Sequence, residues 1–170
     1  MDFHQKWIEP RVVLENFKMG NIFNQDFQEF LLALNKNEVN YVLVGGYSVI
    51  YHGFPRTTGD IDIFVEVSKN NYDKLTQAFE QFQMPLFDMS EDSFLHQSQI
   101  NVYTFGRPPV CIEILKEISG FTFDEIYNNA LNTVFEEIPM KVIHINDLKR
   151  NKEISGRAKD LNDLENLSKL

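Results

Sequence analysis

The segment Gly59-Asp60-Ile61-Asp62-Ile63-Phe64-Val65 limits the possible folds of this chain more than any other. Apolar and acidic residues alternate through it, which is typical of a β-strand because successive side chains point to opposite faces. Ile61 and Ile63 are therefore predicted to enter a core. Asp60 and Asp62 are predicted to share the other face, about 7 Å apart along the backbone. The fold must bury one side of this strand and keep two carboxylates together on the other.

A glycine pair lies just upstream of this strand. The apolar run Tyr41-Val42-Leu43-Val44 predicts a buried strand that ends at Gly45-Gly46, and a short helix is predicted over residues 47–52. Glycines at a strand-to-helix turn let the backbone approach a phosphate closely, and Ser48 would add a hydroxyl. A glycine pair alone more often marks an ordinary tight turn, and this one matches neither a P-loop nor a dinucleotide fingerprint.

The rest of the pattern mixes helices and strands. Capping residues predict helices that begin after Asn24, Ser68 and Thr122 and end, for the first two, near residues 35 and 82. Further strands are predicted over residues 98–105, 110–115 and 141–144, and helices from about residue 146 with a break near Gly156. The order predicts an α+β fold in which helices flank a mixed central sheet.

The size and composition of the chain predict one domain. It has 170 residues, of which 43% are apolar, and we assign residues 23–170 to the domain and residues 1–22 to an N-terminal arm or short helix. The single cysteine, Cys111, excludes an intrachain disulfide and a cysteine cluster for zinc. Neither a signal-like N-terminus nor an apolar run of about 18 residues is found, so we expect a cytoplasmic protein rather than a membrane protein.

The acidic residues predict a metal site. Glu113 lies in the apolar run Cys111-Ile112-Glu113-Ile114-Leu115 and is the natural third carboxylate beside Asp60 and Asp62. Mg²⁺ prefers such hard oxygen ligands and is commonly completed by substrate phosphates, so we expect one or two Mg²⁺ ions. Glu113 is also the candidate to accept a proton from an acceptor hydroxyl. The alternatives are two surface aspartates and an edge-strand glutamate.

Basic residues suggest contacts with phosphate groups. Arg56 precedes the acidic strand, and Lys152 and Arg157 belong to a late basic segment in a chain of net charge -9. A structural salt bridge from Arg56 to the acidic strand, and solvated helix faces for the other two, remain open alternatives. Asp160 and Asp163 are expected to brace the helix pair rather than to bind metal. The net charge disfavours a broad nucleic-acid-binding surface.

The pattern Val44-Gly45-Gly46 followed by Asp60-Ile61-Asp62-Ile63 resembles the nucleotidyltransferase superfamily that includes DNA polymerase beta. By the same resemblance Glu113 is the third carboxylate, where many relatives carry Asp. The run from Arg56 to Asp62 and residues 152–163 also resemble stand-alone bacterial nucleotidyltransferase-like proteins, some of them toxins of toxin–antitoxin pairs.

This resemblance implies transfer of a nucleoside monophosphate from a nucleoside triphosphate to an acceptor, with release of pyrophosphate. It also implies dependence on Mg²⁺, with Mn²⁺ as a substitute. A protein, an RNA or a small molecule remains open as the acceptor, and a protein partner or a second copy of the chain remains open as the group that completes the cleft. The rival hypothesis is a catalytically silent nucleotide-binding or partner-binding module.

Overall fold

The computed structural model describes residues 23–107 and 110–170, so the predicted arm at residues 1–22 lies outside the described residues. Within these ranges the chain forms seven helices and one six-stranded mixed sheet, which confirms the predicted α+β fold. The helices are α1 Gln25–Lys36, α2 Gly45–Tyr51, α3 Lys69–Gln81, α4 Glu91–His96, α5 Phe123–Asn129, α6 Ile145–Ser155 and α7 Ala158–Leu167. The strands are β1 Tyr41–Val44, β2 Asp60–Val65, β3 Val102–Arg107, β4 Val110–Leu115, β5 Leu131–Phe135 and β6 Ile138–Val142.

The acidic strand β2 lies inside the sheet, whose strand order is β3-β4-β2-β1-β6-β5. It pairs antiparallel with β1 and parallel with β4, while β1 pairs parallel with β6. The two outer strands, β3 and β5, each pair antiparallel with their inner neighbour. The strand order therefore places Asp60 and Asp62 between the glycine-ended strand and the strand that carries Glu113.

The two faces of the sheet bury separate apolar clusters. Ile61 and Ile63 pack against residues of α1 and α3 on one face. Phe64 lies on the opposite face and belongs to the cluster that includes residues of α5, α6 and α7. Because side chains alternate along a strand, Asp60 and Asp62 share the face of Phe64. The carboxylates therefore point to the side of the sheet that the C-terminal helices cover.

The predicted helix starts are confirmed by capping hydrogen bonds. The side chain of Asn24 accepts from the Phe27 N–H, and Ser68 caps α3 in the same way. Thr122 begins α5 with a capping box in which Glu125 reaches back to the cap backbone. Gly156 ends α6 with φ of +63°, which matches the predicted helix break. None of the helices in the described ranges has the length and apolarity that a membrane crossing requires.

Two elements escaped the sequence prediction, and two strand boundaries were wrong. Helix α4, which Ser90 caps, was not predicted. The strand predicted over residues 98–105 begins only at Val102. The strand predicted over residues 141–144 is instead β6, which starts at Ile138 and pairs with the missed strand β5. Pro139 lies inside β6 and obscured it, because proline is typical of strand edges and breaks. The hairpin turn carries Glu136 and Glu137 at positive φ where Gly or Asn would normally signal a turn.

Candidate functional site

A pocket of about 730 Å³ opens on the side of the sheet that faces α6 and α7. Eight of the nine residues predicted for the site line it: Gly45, Gly46, Arg56, Asp60, Asp62, Glu113, Lys152 and Arg157. These residues come from five separate parts of the chain: the β1–α2 turn, the loop before β2, β2 itself, β4, and the α6–α7 region. The fold therefore brings together side chains that are up to 112 positions apart in the sequence.

The carboxylates meet through strand register. Asp62 of β2 is the partner of Glu113 in the parallel pairing with β4, and Asp60 is the partner of Cys111. Neighbouring strands lie about 4.8 Å apart, so the Asp62 and Glu113 side chains emerge side by side on the same face of the sheet. Because β4 lies between β2 and β3, the edge-strand interpretation of Glu113 is wrong.

Asp60, Asp62 and Glu113 lie close together in a partly buried site, and this raises the pKa of Asp62 and of a neighbouring thiol. Burial, the hydrogen bond to Glu113 and the charges of Glu113 and Asp60 raise the pKa of Asp62 to about 8. The positive charge of Lys152 acts in the opposite direction. Burial and the charges of Asp60 and Glu113 also raise the pKa of the Cys111 thiol. Like charges held this close favour a neutralising proton or cation.

The chemistry of these donors fits a divalent cation. Three carboxylates offer hard, charged oxygens of the kind that Mg²⁺ and Mn²⁺ prefer, and they face an open pocket rather than a closed core. Among residues 23–107 and 110–170, no group of three His, Cys, Asp or Glu side chains has an arrangement ready to ligate a metal. The donor set fits a divalent cation in chemical type but not in arrangement, and Asp60, Asp62 and Glu113 are the residues that would hold the ion.

The glycine pair allows the β1–α2 turn to approach the acidic strand very closely. A β-carbon placed on Gly45, where φ is +66°, would overlap the Asp62 carboxylate. A β-carbon on Gly46 would lie 2.5 Å from Thr58 Oγ1 and 3.0 Å from Arg56 Nη2. Both glycines are thus required by packing against the site, whatever the pocket binds.

Ser48 is the one predicted residue that does not line the pocket. Its side chain is fully buried in α2, and its hydroxyl donates to the carbonyl oxygen of Gly45 at 2.6 Å. This bond ties the first turn of α2 to the backbone of the glycine pair. The structure places Ser48 behind the turn, where it shapes the glycine backbone rather than facing the cavity.

The predicted phosphate-binding cations are already engaged with acidic side chains. Lys152 is buried and lies 2.8 Å from Asp160 and 2.9 Å from Asp163, so the two aspartates link α7 to α6. Arg157 lies 2.7 Å from Asp160, but its side chain is 79% exposed and therefore accessible from the pocket mouth. Hydrogen bonds from Lys152, Ser155 and Arg157 outweigh the effect of burial and lower the pKa of Asp160 to about 2.

Arg56 forms a salt bridge with α7 rather than with the acidic strand. Its Nη2 donates to Asp163 Oδ2 at 3.1 Å, and its Nε lies 2.9 Å from Asp163 Oδ1 without the angle of a hydrogen bond. Arg56 therefore does form a salt bridge, but the partner expected from the sequence, the acidic strand, was wrong: the partner is Asp163 of α7, 107 positions away. The guanidinium also borders the pocket, so this pairing does not remove it from the site.

Several lining residues were not predicted from the sequence. They come from the loop before β2, the ends of β3 and β4, the loop after β4 and the α6–α7 region: Thr58, Asn101, Val102, Leu115, Glu117, Ile118, Ser119, Asn151, Ser155 and Lys159. Lys159 stood in the basic run after Gly156 and could have been found there. Thr58 and Ser155 stood in segments that resemble the nucleotidyltransferase-like proteins, although neither was singled out. The others come to the cavity through strand pairing and helix packing.

Protein-family models and curated proteins were both compared with the chain, and neither comparison yields a match.

Proposed function

We propose that this protein is a Mg²⁺-dependent nucleotidyltransferase, which moves a nucleoside monophosphate from a nucleoside triphosphate to an acceptor hydroxyl. The observation that carries the proposal is the pairing of Asp62 with Glu113 beside Asp60 on the wall of an open pocket. A volume of about 730 Å³ is within the usual range of small-molecule sites, which is roughly 300–1,000 Å³.

The transfer would exchange one phosphorus–oxygen bond for another. The acceptor oxygen forms a bond to the α-phosphorus while the bond from that phosphorus to the bridging oxygen breaks, and pyrophosphate leaves. Glu113 would complete the metal site or accept the proton from the acceptor hydroxyl. Asp60 and Asp62 would hold the cation, which when bound supplies charge neutralisation at the phosphates. Positioning and electrostatics then account for the catalysis.

The opposite wall of the pocket supports binding of an anionic ligand. Lys152, Arg157 and Lys159 line it from α6 and α7, and Arg56 lines it from the loop before β2. The backbone of Gly45 and Gly46 is open to the cavity because neither residue has a side chain. A triphosphate in the pocket would face the basic residues on one side and, on the other, a cation held by the carboxylates.

The acceptor and the setting belong to the same proposal. A protein, an RNA or a small molecule offers a suitable hydroxyl, and a partner subunit or second copy would supply whatever further contacts the acceptor needs. The net charge of -9 favours an acceptor other than bulk RNA. A cytoplasmic location accords with the single free thiol of Cys111, and a toxin–antitoxin role is the biological context that the sequence resemblance suggests.

The experiment is a transfer assay with each of the four nucleoside triphosphates, labelled at either the α- or the γ-phosphate, in extract that contains the acceptor. The proposal predicts Mg²⁺-dependent incorporation from the α label alone and its loss in Asp62→Asn. Asp88→Asn is the matched control, since Asp88 is exposed and does not line the pocket. Incorporation from the γ label, no incorporation from any triphosphate, or an Asp62→Asn variant as active as the control would contradict the proposal.

A second candidate function is the catalytically silent binding module. It is favoured by the internal neutralisation of Lys152 and Arg56, whose charges are shared with Asp160 and Asp163 before any ligand binds. This alternative predicts saturable binding of a nucleotide or a protein partner without label transfer. Calorimetric titration of the same nucleotides beside the transfer assay distinguishes the two, because binding without incorporation supports the silent module.

A further inference from the structure

Asp163 lies just behind the pocket wall and contacts two cations that form that wall. Its side chain is 1% exposed and does not line the cavity, whereas Arg56 and Lys152 do. We propose that Asp163 is a positioning residue that holds Arg56 and Lys152 where they contact the phosphates of the ligand. This inference rests on the proposed function and deepens it, because it assigns the orientation of the phosphate-binding wall to one buried aspartate of α7.

The contacts between Asp163 and Arg56 fix the direction of the guanidinium group. Nη2 donates to one carboxylate oxygen at 3.1 Å, and Nε lies 2.9 Å from the other oxygen in an ion-pair contact, so one hydrogen bond and one close charge contact orient the planar group. Arg56 Nη1 also donates to the carbonyl oxygen of Thr57 at 3.0 Å. The same Nη2 borders Gly46, since a β-carbon there would come within 3.0 Å of it. Asp163 therefore holds Arg56 against the open backbone of the glycine turn.

The contact with Lys152 places a second cation on the same anchor. Lys152 Nζ lies 2.9 Å from Asp163 and 2.8 Å from Asp160, and the lysine side chain is only 6% exposed. Its charge is still felt by Asp62 across the pocket. One aspartate thus connects α6, α7 and the loop before β2 at the place where all three meet the cavity.

A purely structural role would not require this arrangement. Buried ion pairs contribute little net stability, because removing charges from water offsets most of their attraction, and apolar side chains would join the helices as well. Arg56, Lys152 and Arg157 face only Asp160 and Asp163 in this network, which leaves one net positive charge on the wall opposite the acidic strand. A wall that holds excess positive charge beside a pocket is suited to an anionic ligand.

The test measures affinity for each of the four nucleoside triphosphates with Mg²⁺ by calorimetry, at a temperature where every variant is folded by circular dichroism. Asp163→Asn is expected to weaken binding about 10- to 100-fold, the effect of losing one hydrogen bond between charged groups. Asp163→Glu, which keeps the charge, is expected to recover part of the affinity. Glu165→Gln is the matched control, because Glu165 is an exposed acid of the same helix, and it should bind as the unsubstituted protein does.

The double variant Arg56→Gln/Asp163→Asn separates positioning from stability and also serves if Asp163→Asn alone does not fold. Removing both partners restores the charge balance, so its melting temperature should recover towards that of the unsubstituted protein. Its affinity for the triphosphate should stay weak, because Arg56 is absent from the wall. Affinity that recovers together with stability would overturn the positioning role.

The failure of this inference can be told apart from the failure of the proposed function. If the unsubstituted protein binds none of the four triphosphates, both are overturned. If it binds one of them and Asp163→Asn binds it equally well, only the positioning role is overturned.

Discussion

Gly45 and Asp62 lie in such close contact that the space a β-carbon would need at residue 45 is filled by the Asp62 carboxylate. Asp62 is also the β2 partner of Val44, the residue just before the glycine. The turn and the acidic strand are therefore packed as one unit. A side chain introduced at residue 45 should therefore displace the Asp62 carboxylate, its nearest neighbour.

Gly45→Ala is predicted to destabilise the protein and to displace Asp62. Residue 45 has φ of +66°, where an L side chain costs about 1–2 kcal/mol, and the overlap with Asp62 adds to that cost. We expect a total loss above about 2 kcal/mol in the free energy of unfolding, measured by urea denaturation.

Gly156→Ala is the matched control for this prediction. Gly156 has a similar φ of +63°, but a β-carbon there would meet nothing closer than 3.9 Å. This variant should lose only the cost of the left-handed backbone, about 1–2 kcal/mol in the free energy of unfolding. If the two variants lose the same free energy of unfolding, the overlap between a side chain at residue 45 and Asp62 does not affect stability.

Lys152→Met is predicted to destabilise the helix pair strongly. It removes the cation shared by Asp160 and Asp163, and breaking a buried ion pair by deleting one partner costs about 3–5 kcal/mol. We expect the lower end, because Arg157 and Arg56 still face the two aspartates. Lys159→Met, a change at an exposed pocket lysine, should alter the unfolding free energy by less than about 0.5 kcal/mol. Similar losses in the two variants would contradict a structural ion-pair network.

Low pH is predicted to weaken the contribution of the Asp160 carboxylate to the stability of the folded protein. Its pKa falls from 3.8 to about 2 on folding, so the native state favours the ionised carboxylate. That stabilisation is complete above about pH 4 and is lost as the pH falls towards 2. The difference in unfolding free energy between the unsubstituted protein and Asp160→Asn should therefore shrink over this interval. A constant difference from pH 6 to pH 2 would show that the carboxylate is not preferentially ionised in the folded protein.

The acidic strand, its neighbours and the helix caps could be predicted because their signals are local. Alternation fixed the two faces of β2, and the capping side chains of Asn24 and Ser68 marked where helices begin. The hairpin of β5 and β6 escaped because Glu136 and Glu137 occupy turn positions at positive φ where glycine is usual. Local sequence signals such as alternation and capping predict structure only where neighbouring residues alone determine the backbone conformation.

The partners of the basic residues could not be predicted, because they depend on packing between distant elements. Nothing near Arg56 in the sequence indicates Asp163, and the choice between a salt bridge and a phosphate contact needed the position of α7. Ser48 illustrates the same limit, since its place next to a glycine pair suggests a ligand contact while the helix turns its hydroxyl back to Gly45. Strand register likewise decided that Glu113 meets Asp62 inside the sheet.

Asp62→Asn is predicted to stabilise the protein when no divalent cation is present. The pKa of Asp62 rises from 3.8 to about 8 on folding, so at neutral pH the folded protein must take up a proton that the unfolded chain does not bind, and this costs stability. Asparagine keeps the shape of the side chain without that cost. We expect a higher melting temperature than that of the unsubstituted protein in buffer with EDTA at neutral pH. Asp88→Asn should leave the melting temperature unchanged. A lower melting temperature for Asp62→Asn would mean that the carboxylate serves folding rather than a ligand.

The central claim is that Asp60, Asp62 and Glu113 hold a divalent cation together with a nucleoside triphosphate. Electron paramagnetic resonance tests it directly, because free Mn²⁺ can be counted as the protein is titrated with and without each triphosphate. We predict one or two bound Mn²⁺ ions per chain with a triphosphate present, and loss of this binding in Asp62→Asn but not in Asp88→Asn. Mn²⁺ binding that is absent from the unsubstituted protein, or equal in Asp62→Asn, would contradict the account.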